Sequence, residues 1–256
     1  MPDFQFGTGV LYATPNQGNQ AANPTPYKFG TLQEAQLDVK GDLKKLFGQK
    51  QFAVATARGK INVTVKAKYA SQDPTLLNQL YWGQTQTAGM TILAADEQDI
   101  IGAVGSPPVA NQITVINSAT IVTNYGVIYA TGTNAGQQLV LVTGAPLQGQ
   151  YQYSAGTYTF NALDNGATVL VSYTYTNASR GVTVTLTNQY MGYAPEFRAF
   201  LFNTFRNQIL GVELYCCTMG SFNIPTKQED FWVSDVDFEA NTDSTDTLGK
   251  MYADLG

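Results

Sequence analysis

Three carboxylates, Asp235, Asp237 and Glu239, alternate with apolar residues in the run Phe231–Glu239, so a strand there sets them along one face. Such a row could bind a cation or do acid–base chemistry, although carboxylates two apart on a strand are more often a solvated face. Little else in the chain suggests catalysis. There is no His, which removes the commonest general base and the commonest metal ligand. The two cysteines, Cys216 and Cys217, are adjacent and would point to opposite faces of a strand, a poor geometry for a disulfide; no CxxC spacing exists for zinc. They suggest a protein made and used in a reducing compartment. Gly7-Thr8-Gly9 lacks the further glycine or lysine of a phosphate-binding loop and reads as a turn. Asn62-Val63-Thr64 and Asn177-Ala178-Ser179 match the glycosylation sequon, which carries no meaning without a secretory signal. Trp82 and Trp232 could stack on sugars, but both sit in apolar patterns that suit core packing. The chain therefore reads as non-enzymatic, with no cofactor and no metal.

The elements that would position these residues are mostly strands. Of 256 residues, 44% are hydrophobic, enough for a sizeable core, while only 13% are charged, against roughly 25% in an ordinary domain. Fifteen Tyr and thirteen Phe accompany the low charge. Buried interfaces deplete charge and favour aromatics; β proteins in general are also rich in Thr and Tyr. The net charge of -5 opposes nucleic-acid wrapping, which needs a basic footprint. The charge is unevenly spread. Residues 1–95 hold nine Lys/Arg and five Asp/Glu, residues 96–181 one and four, and residues 182–256 four and ten. The basic front and acidic back either complement each other between copies or mix on one folded surface. No signal peptide is visible, and no apolar run approaches membrane-spanning length.

Along the chain, residues 1–27 are rich in Gly, Pro, Asn and Gln and read as an arm, mobile alone or ordered by a partner. Residues 31–70 suggest a long hairpin. Leu37, Val39 and Leu43 face one way around Gly41-Asp42, Lys40, Lys44 and Lys45 make the connection basic, and Arg58-Gly59 supplies a turn. Ile61, Val63, Val65, Ala67 and Tyr69 then share one face of a strand, with Asn62, Thr64, Lys66 and Lys68 on the other. A short helix follows: Asp73 can N-cap, Pro74 suits the first position, Leu76, Leu77, Leu80 and Tyr81 form a stripe, and Gly83 closes it. Residues 104–178 hold almost no Lys or Arg and many short β runs, with a strong turn at Asp164-Asn165-Gly166, and read as a β-rich insertion. Runs at 182–186, 197–202, 211–215 and 231–239 read as strands, residues 241–247 as a loop.

In the order of these features the sequence resembles bacteriophage tail tube (major tail) proteins. The arm precedes Lys40-Gly41-Asp42-Leu43-Lys44-Lys45, then the strand Lys60–Lys68, the helix Asp73–Gly83 and the C-terminal strand Val233–Asn241. Tyr158-Thr159-Phe160 and Tyr173-Thr174-Tyr175 are also similar to phage structural sequences. The resemblance spans most of residues 28–240 and implies a mainly β fold: two packed antiparallel sheets, sandwich- or barrel-like, with one short flanking helix. The domain reading is an arm at 1–27, a tube domain made of 28–103 and 179–256, and the insertion at 104–178, in the tube wall or outside it. The same resemblance implies a virion protein, assembled in the host cytoplasm, whose copies form hexameric rings stacked into a tube for DNA ejection. Its partners would be its own copies, a sheath if the tail contracts, a tape measure and terminators, with DNA passing without specific binding and no membrane insertion. It puts Lys40, Asp42, Lys44, Lys45 and Phe47 at contacts between rings, and makes Asp235, Asp237 and Glu239 candidates to face the lumen. A reading from another class is a β-sandwich carbohydrate-binding module of a phage or cell surface.

Overall fold

Alternation of apolar and polar residues carries most of the chain into strands. The computed structural model describes residues 6–16, 25–71, 73–104, 109–226 and 228–254. The strands begin with β1 (Val10–Pro15), β2 (Tyr27–Lys28), β3 (Leu32–Phe47), β4 (Ala53–Tyr69), β5 (Gln86–Ile100), β6 (Gly102–Val104), β7 (Val109–Thr114) and β8 (Ile121–Tyr129). They continue with β9 (Val140–Leu141), β10 (Gln150–Ser154), β11 (Thr157–Phe160), β12 (Thr168–Val184), β13 (Glu196–Phe205), β14 (Gln208–Phe222), β15 (Ser234–Asn241) and β16 (Gly249–Asp254). The protein is mainly β, with packed antiparallel sheets and, among the described residues, one short α-helix, as the sequence led us to expect.

Two compact units divide the chain, one made of Met1–Thr85 with Val184–Gly256, the other of Gln86–Thr183. In the first unit a sheet runs in the order β2-β1-β13-β14-β15-β4-β3, and β16 pairs with β14. Its inner face gathers Leu11, Ala13, Val63, Val65, Ala67, Tyr69, Phe197, Leu214, Val236 and Phe238 into one core. Within residues 1–27, read from composition as an arm, Val10–Pro15 is a sheet strand paired with β13, and Leu11 and Ala13 are buried. Residues 1–5 and 17–24 of that arm lie outside the described residues.

The helix α1 (Pro74–Leu77) packs on this core through Leu76 and Leu77. The Asp73 carboxylate accepts from the Thr75 N–H at 2.8 Å, as the capping pattern predicts. The next turn, Asn78–Trp82, widens to π geometry and closes where Gly83, at φ 60°, donates to the Asn78 carbonyl. Any Cβ at Gly83 would sit 2.4 Å from the Tyr193 hydroxyl, so close approach as well as backbone conformation requires glycine here.

The second unit packs a three-stranded sheet, β5-β12-β8, with a five-stranded one, β6-β7-β11-β10-β9. This unit is wider than residues 104–178, because β5 supplies an edge to β12 from residue 86 onward. Four buried tyrosines dominate its core, and their hydroxyls are satisfied internally, as buried phenols require. Tyr129 donates to Asp164 at 2.7 Å, Tyr173 to Glu97 at 2.5 Å, and Tyr158 to the Asn124 side-chain oxygen at 3.1 Å, while the Asn124 amide donates to Tyr151 at 3.1 Å. Burial pushes the Tyr129 phenol up to about 12, helped by the Asp164 carboxylate.

Candidate functional site

Alternation along β15 sends Val236, Phe238 and Ala240 into the core and leaves Asp235, Asp237 and Glu239 together on the opposite face. The predicted row of carboxylates is therefore present, but it does not stand alone. Strand β4 pairs so that Lys68 lies beside Asp235, Lys66 beside Asp237 and Thr64 beside Glu239. One strand further, Glu34 accepts from Lys68 Nζ at 2.7 Å. That hydrogen bond and the charges of Glu34 and Asp235 hold the Lys68 ammonium above its ordinary pKa. From β14, Ser221 Oγ donates to Asp237 Oδ2 at 3.3 Å, and just past its end the Asn223 amide donates to Asp235 Oδ2 at 3.0 Å. Glu34, Lys66, Lys68, Ser221, Asn223, Asp235 and Asp237 line a cleft of roughly 600 Å³.

A face of this kind alternates sign over every few ångströms. Exposed ion pairs contribute little to stability, but they flatten the local field. An acidic reading of the strand alone overstates its charge, since Lys66 and Lys68 sit across from two of its three carboxylates. The alternation of β4 placed both lysines on its outer face; what the sequence did not give is the pairing of β4 with a strand about 170 residues away. Among the described residues no group of three or more His, Cys, Asp or Glu is arranged to hold a metal ion.

The other candidate residues lie on the β3–β4 hairpin. At its base, Val63, Val65, Ala67 and Tyr69 are buried. From Val39 to Ile61 every residue is exposed in the single chain. With about nine residues per strand at ~3.3 Å each, this outer portion extends roughly 30 Å. Arg58-Gly59 is not a turn, contrary to the local reading, and neither is Gly41-Asp42. Both lie inside strands, facing each other across a bulge where Gly41 pairs with Ile61 and Leu43 with Arg58. The chain turns only after Phe47.

The bulge and the alternation divide the predicted contact residues between two faces. Leu43 and Lys45 share one face with Arg58 and Thr56, while Lys44 and Leu46 share the other with Ala57 and Ala55. At the bulge Asp42 of β3 stands opposite two residues of β4, Gly59 and Lys60. The sequence reading missed how apolar this projection is. Val39, Leu43, Leu46, Phe47, Phe52, Val54 and Ile61 are all half exposed or more. Their number was visible in the sequence; their lack of cover was not.

The remaining candidates resolve as structural. Cys217 is buried and Cys216 half-buried, both free, on opposite faces of β14; burial pushes the Cys217 thiol up to about 12. Trp82 packs edge-on against Tyr81 and Phe222. Trp232, expected in the core, is instead 45% exposed, because β15 begins only at Ser234 and leaves it in the preceding connection. No helix among the described residues is long and apolar enough to cross a membrane. No protein-family model matches the chain, and no curated protein matches it at a meaningful level of similarity.

Proposed function

We propose that this chain is a phage tail tube protein, whose copies assemble into stacked rings forming a channel for DNA. The observation that carries the reading is the projecting hairpin. A two-stranded hairpin standing alone in water is marginal at best. This one exposes seven large apolar side chains along both strands. Contiguous exposed apolar surface of that kind marks an interaction site. Neighbouring copies would cover it, with Lys40, Lys44, Lys45 and Phe47 at the contact between rings. Among the described residues the sheet also ends on β3 at one side and the two-residue β2 at the other, with no further strand paired to either edge. Pairing such edges around a ring satisfies their backbone groups.

Hexameric rings, passage of DNA, location in the virion, and association with sheath, tape measure and terminators come with the resemblance and belong to the same proposal. As a lumen wall, the face carrying Asp235, Asp237 and Glu239 would stay acidic, with Glu34 beside it and Lys66 and Lys68 offsetting only part of the charge. Phosphates find no basic track to bind there, which suits a strand of DNA that must slide.

Electron microscopy of the purified protein, with light scattering across a concentration series, tests the proposal. Rings or tubes are the expected outcome, and their loss in a Leu43→Ser, Phe47→Ser, Phe52→Ser variant would tie assembly to the hairpin. A chain that stays monomeric at high concentration, with the hairpin intact, would sink it.

A further inference from the structure

We infer that the second unit carries a binding site for a neutral carbohydrate, centred on Tyr125. The site begins with a bulge in β8. Ser172 pairs with Gly126 and Tyr173 with Asn124, so Tyr125 is an extra residue with no partner on β12. Bulges re-aim side chains, and this one turns a tyrosine outward. Tyr125 is 63% exposed, while Val127 and Tyr129 on the same strand are buried.

The bulge is held in place from both sides. Gly126 stands at φ 118°, a conformation that disfavours any side chain. Its N–H donates to the Asn124 side-chain oxygen at 3.0 Å, which also accepts from the Tyr158 hydroxyl at 3.1 Å, while the Asn124 amide donates to Tyr151 at 3.1 Å. A core network of this size, spent on keeping one ring in water, makes a preorganised contact.

Beside the ring lies a groove of roughly 300 Å³, with Leu141, Gln138 and Ser172 in its lining. That volume is at the lower end of the range, about 300–1,000 Å³, of small-ligand sites. Its chemistry selects the ligand. The lining residues are uncharged, and no Lys or Arg occurs between Lys68 and Arg180. An anion would find no counter-charge, which excludes phosphates, nucleic acids and acidic sugars. Tyr125 and Leu141 offer flat apolar surface to the C–H face of a sugar ring. The Gln138 amide offers a donor and an acceptor to hydroxyl groups, and the Ser172 hydroxyl, which donates to Asp96 Oδ1 at 3.3 Å and accepts from the Asp96 N–H at 3.1 Å, keeps one lone pair as a further acceptor.

The test uses the full chain on an array of immobilised neutral and acidic oligosaccharides, followed by saturation-transfer NMR on the neutral glycans retained. Binding with a Kd on the order of 1 mM is expected. Tyr125→Ala should weaken it roughly tenfold or more, Tyr125→Phe should change it by no more than about threefold, and Gln138→Ala should fall between. Both positions are exposed, so the unfolding midpoint should stay unchanged. The inference is overturned if no neutral glycan binds, if only acidic ones do, or if Tyr125→Ala binds as well as the parent. It is equally overturned if Tyr125→Ala abolishes self-association, since the groove would then be a contact between copies. Tube assembly without glycan binding would refute this site and leave the proposed function standing; glycan binding without assembly would do the reverse.

Discussion

The same two strands, β3 and β4, meet opposite surroundings along their length. Below the bulge at Gly41 and Gly59, every second residue of β4 is buried; above it, none is. The residue types hardly change: Val63 and Val65 are in the core, Leu43 and Val54 in water. Apolar side chains stabilise a fold only where something covers them. The base of the hairpin is therefore part of this chain's own stability, and the outer half is a surface that the chain by itself leaves uncovered.

Substitutions can break that comparison. The largest effect on the folded chain belongs to the core below the bulge. Phe238→Ala, which removes a buried ring packed against Phe197, should cost about 3–5 kcal/mol in urea unfolding. The Leu43→Ser, Phe47→Ser, Phe52→Ser variant should shift monomer stability by no more than about 0.5 kcal/mol per site while abolishing tubes in micrographs. If it unfolds the monomer instead, the outer hairpin is not the free surface described here.

Alkaline pH sharpens the same division. Burial raises the Tyr69 phenol at the hairpin base to about 12 from the ordinary 10.0. The folded chain keeps this proton where the unfolded chain loses it. Its contribution is therefore complete below pH 10 and lost as pH rises toward 12, and Tyr129 in the second unit behaves alike. Thermal midpoints recorded across that window should fall, and Tyr69→Phe should flatten part of the decline. Loss of the helix cap in Asp73→Ala is smaller, about 1 kcal/mol. Smallest for stability is reversal of Asp235, Asp237 and Glu239 to Lys, which should leave assembly intact but impair DNA delivery in an infection assay. Unchanged delivery would remove these residues from a lumen role.

What the sequence disclosed was local. Asp73-Pro74 and Gly83 announce a helix because capping and left-handed backbone are decided within a few residues. The row Asp235, Asp237, Glu239 follows from a two-residue period and holds. Other features depended on distant partners. Gly41-Asp42 and Arg58-Gly59 look like turns by composition, and only the register between β3 and β4 makes them a bulge. Val10–Pro15 looks like a loose arm until β13 is beside it. Lys66 and Lys68 become partners of the carboxylates only once β15 joins β4, and the reach of the second unit back to Gln86 depends on β5 meeting β12.

The single unpaired step between Gly41 and Leu43 on one side and Arg58 and Ile61 on the other also sets a parity. Side chains on a strand alternate, so one surplus residue exchanges the two faces of everything beyond it. Strict alternation along β4 from Ile61, without the bulge, would put Ala57 and Ala55 on the face that Arg58 and Thr56 now share with Leu43 and Lys45, setting methyl groups where a cation and a hydroxyl now stand. The pattern that each face of this hairpin presents is fixed by that odd count.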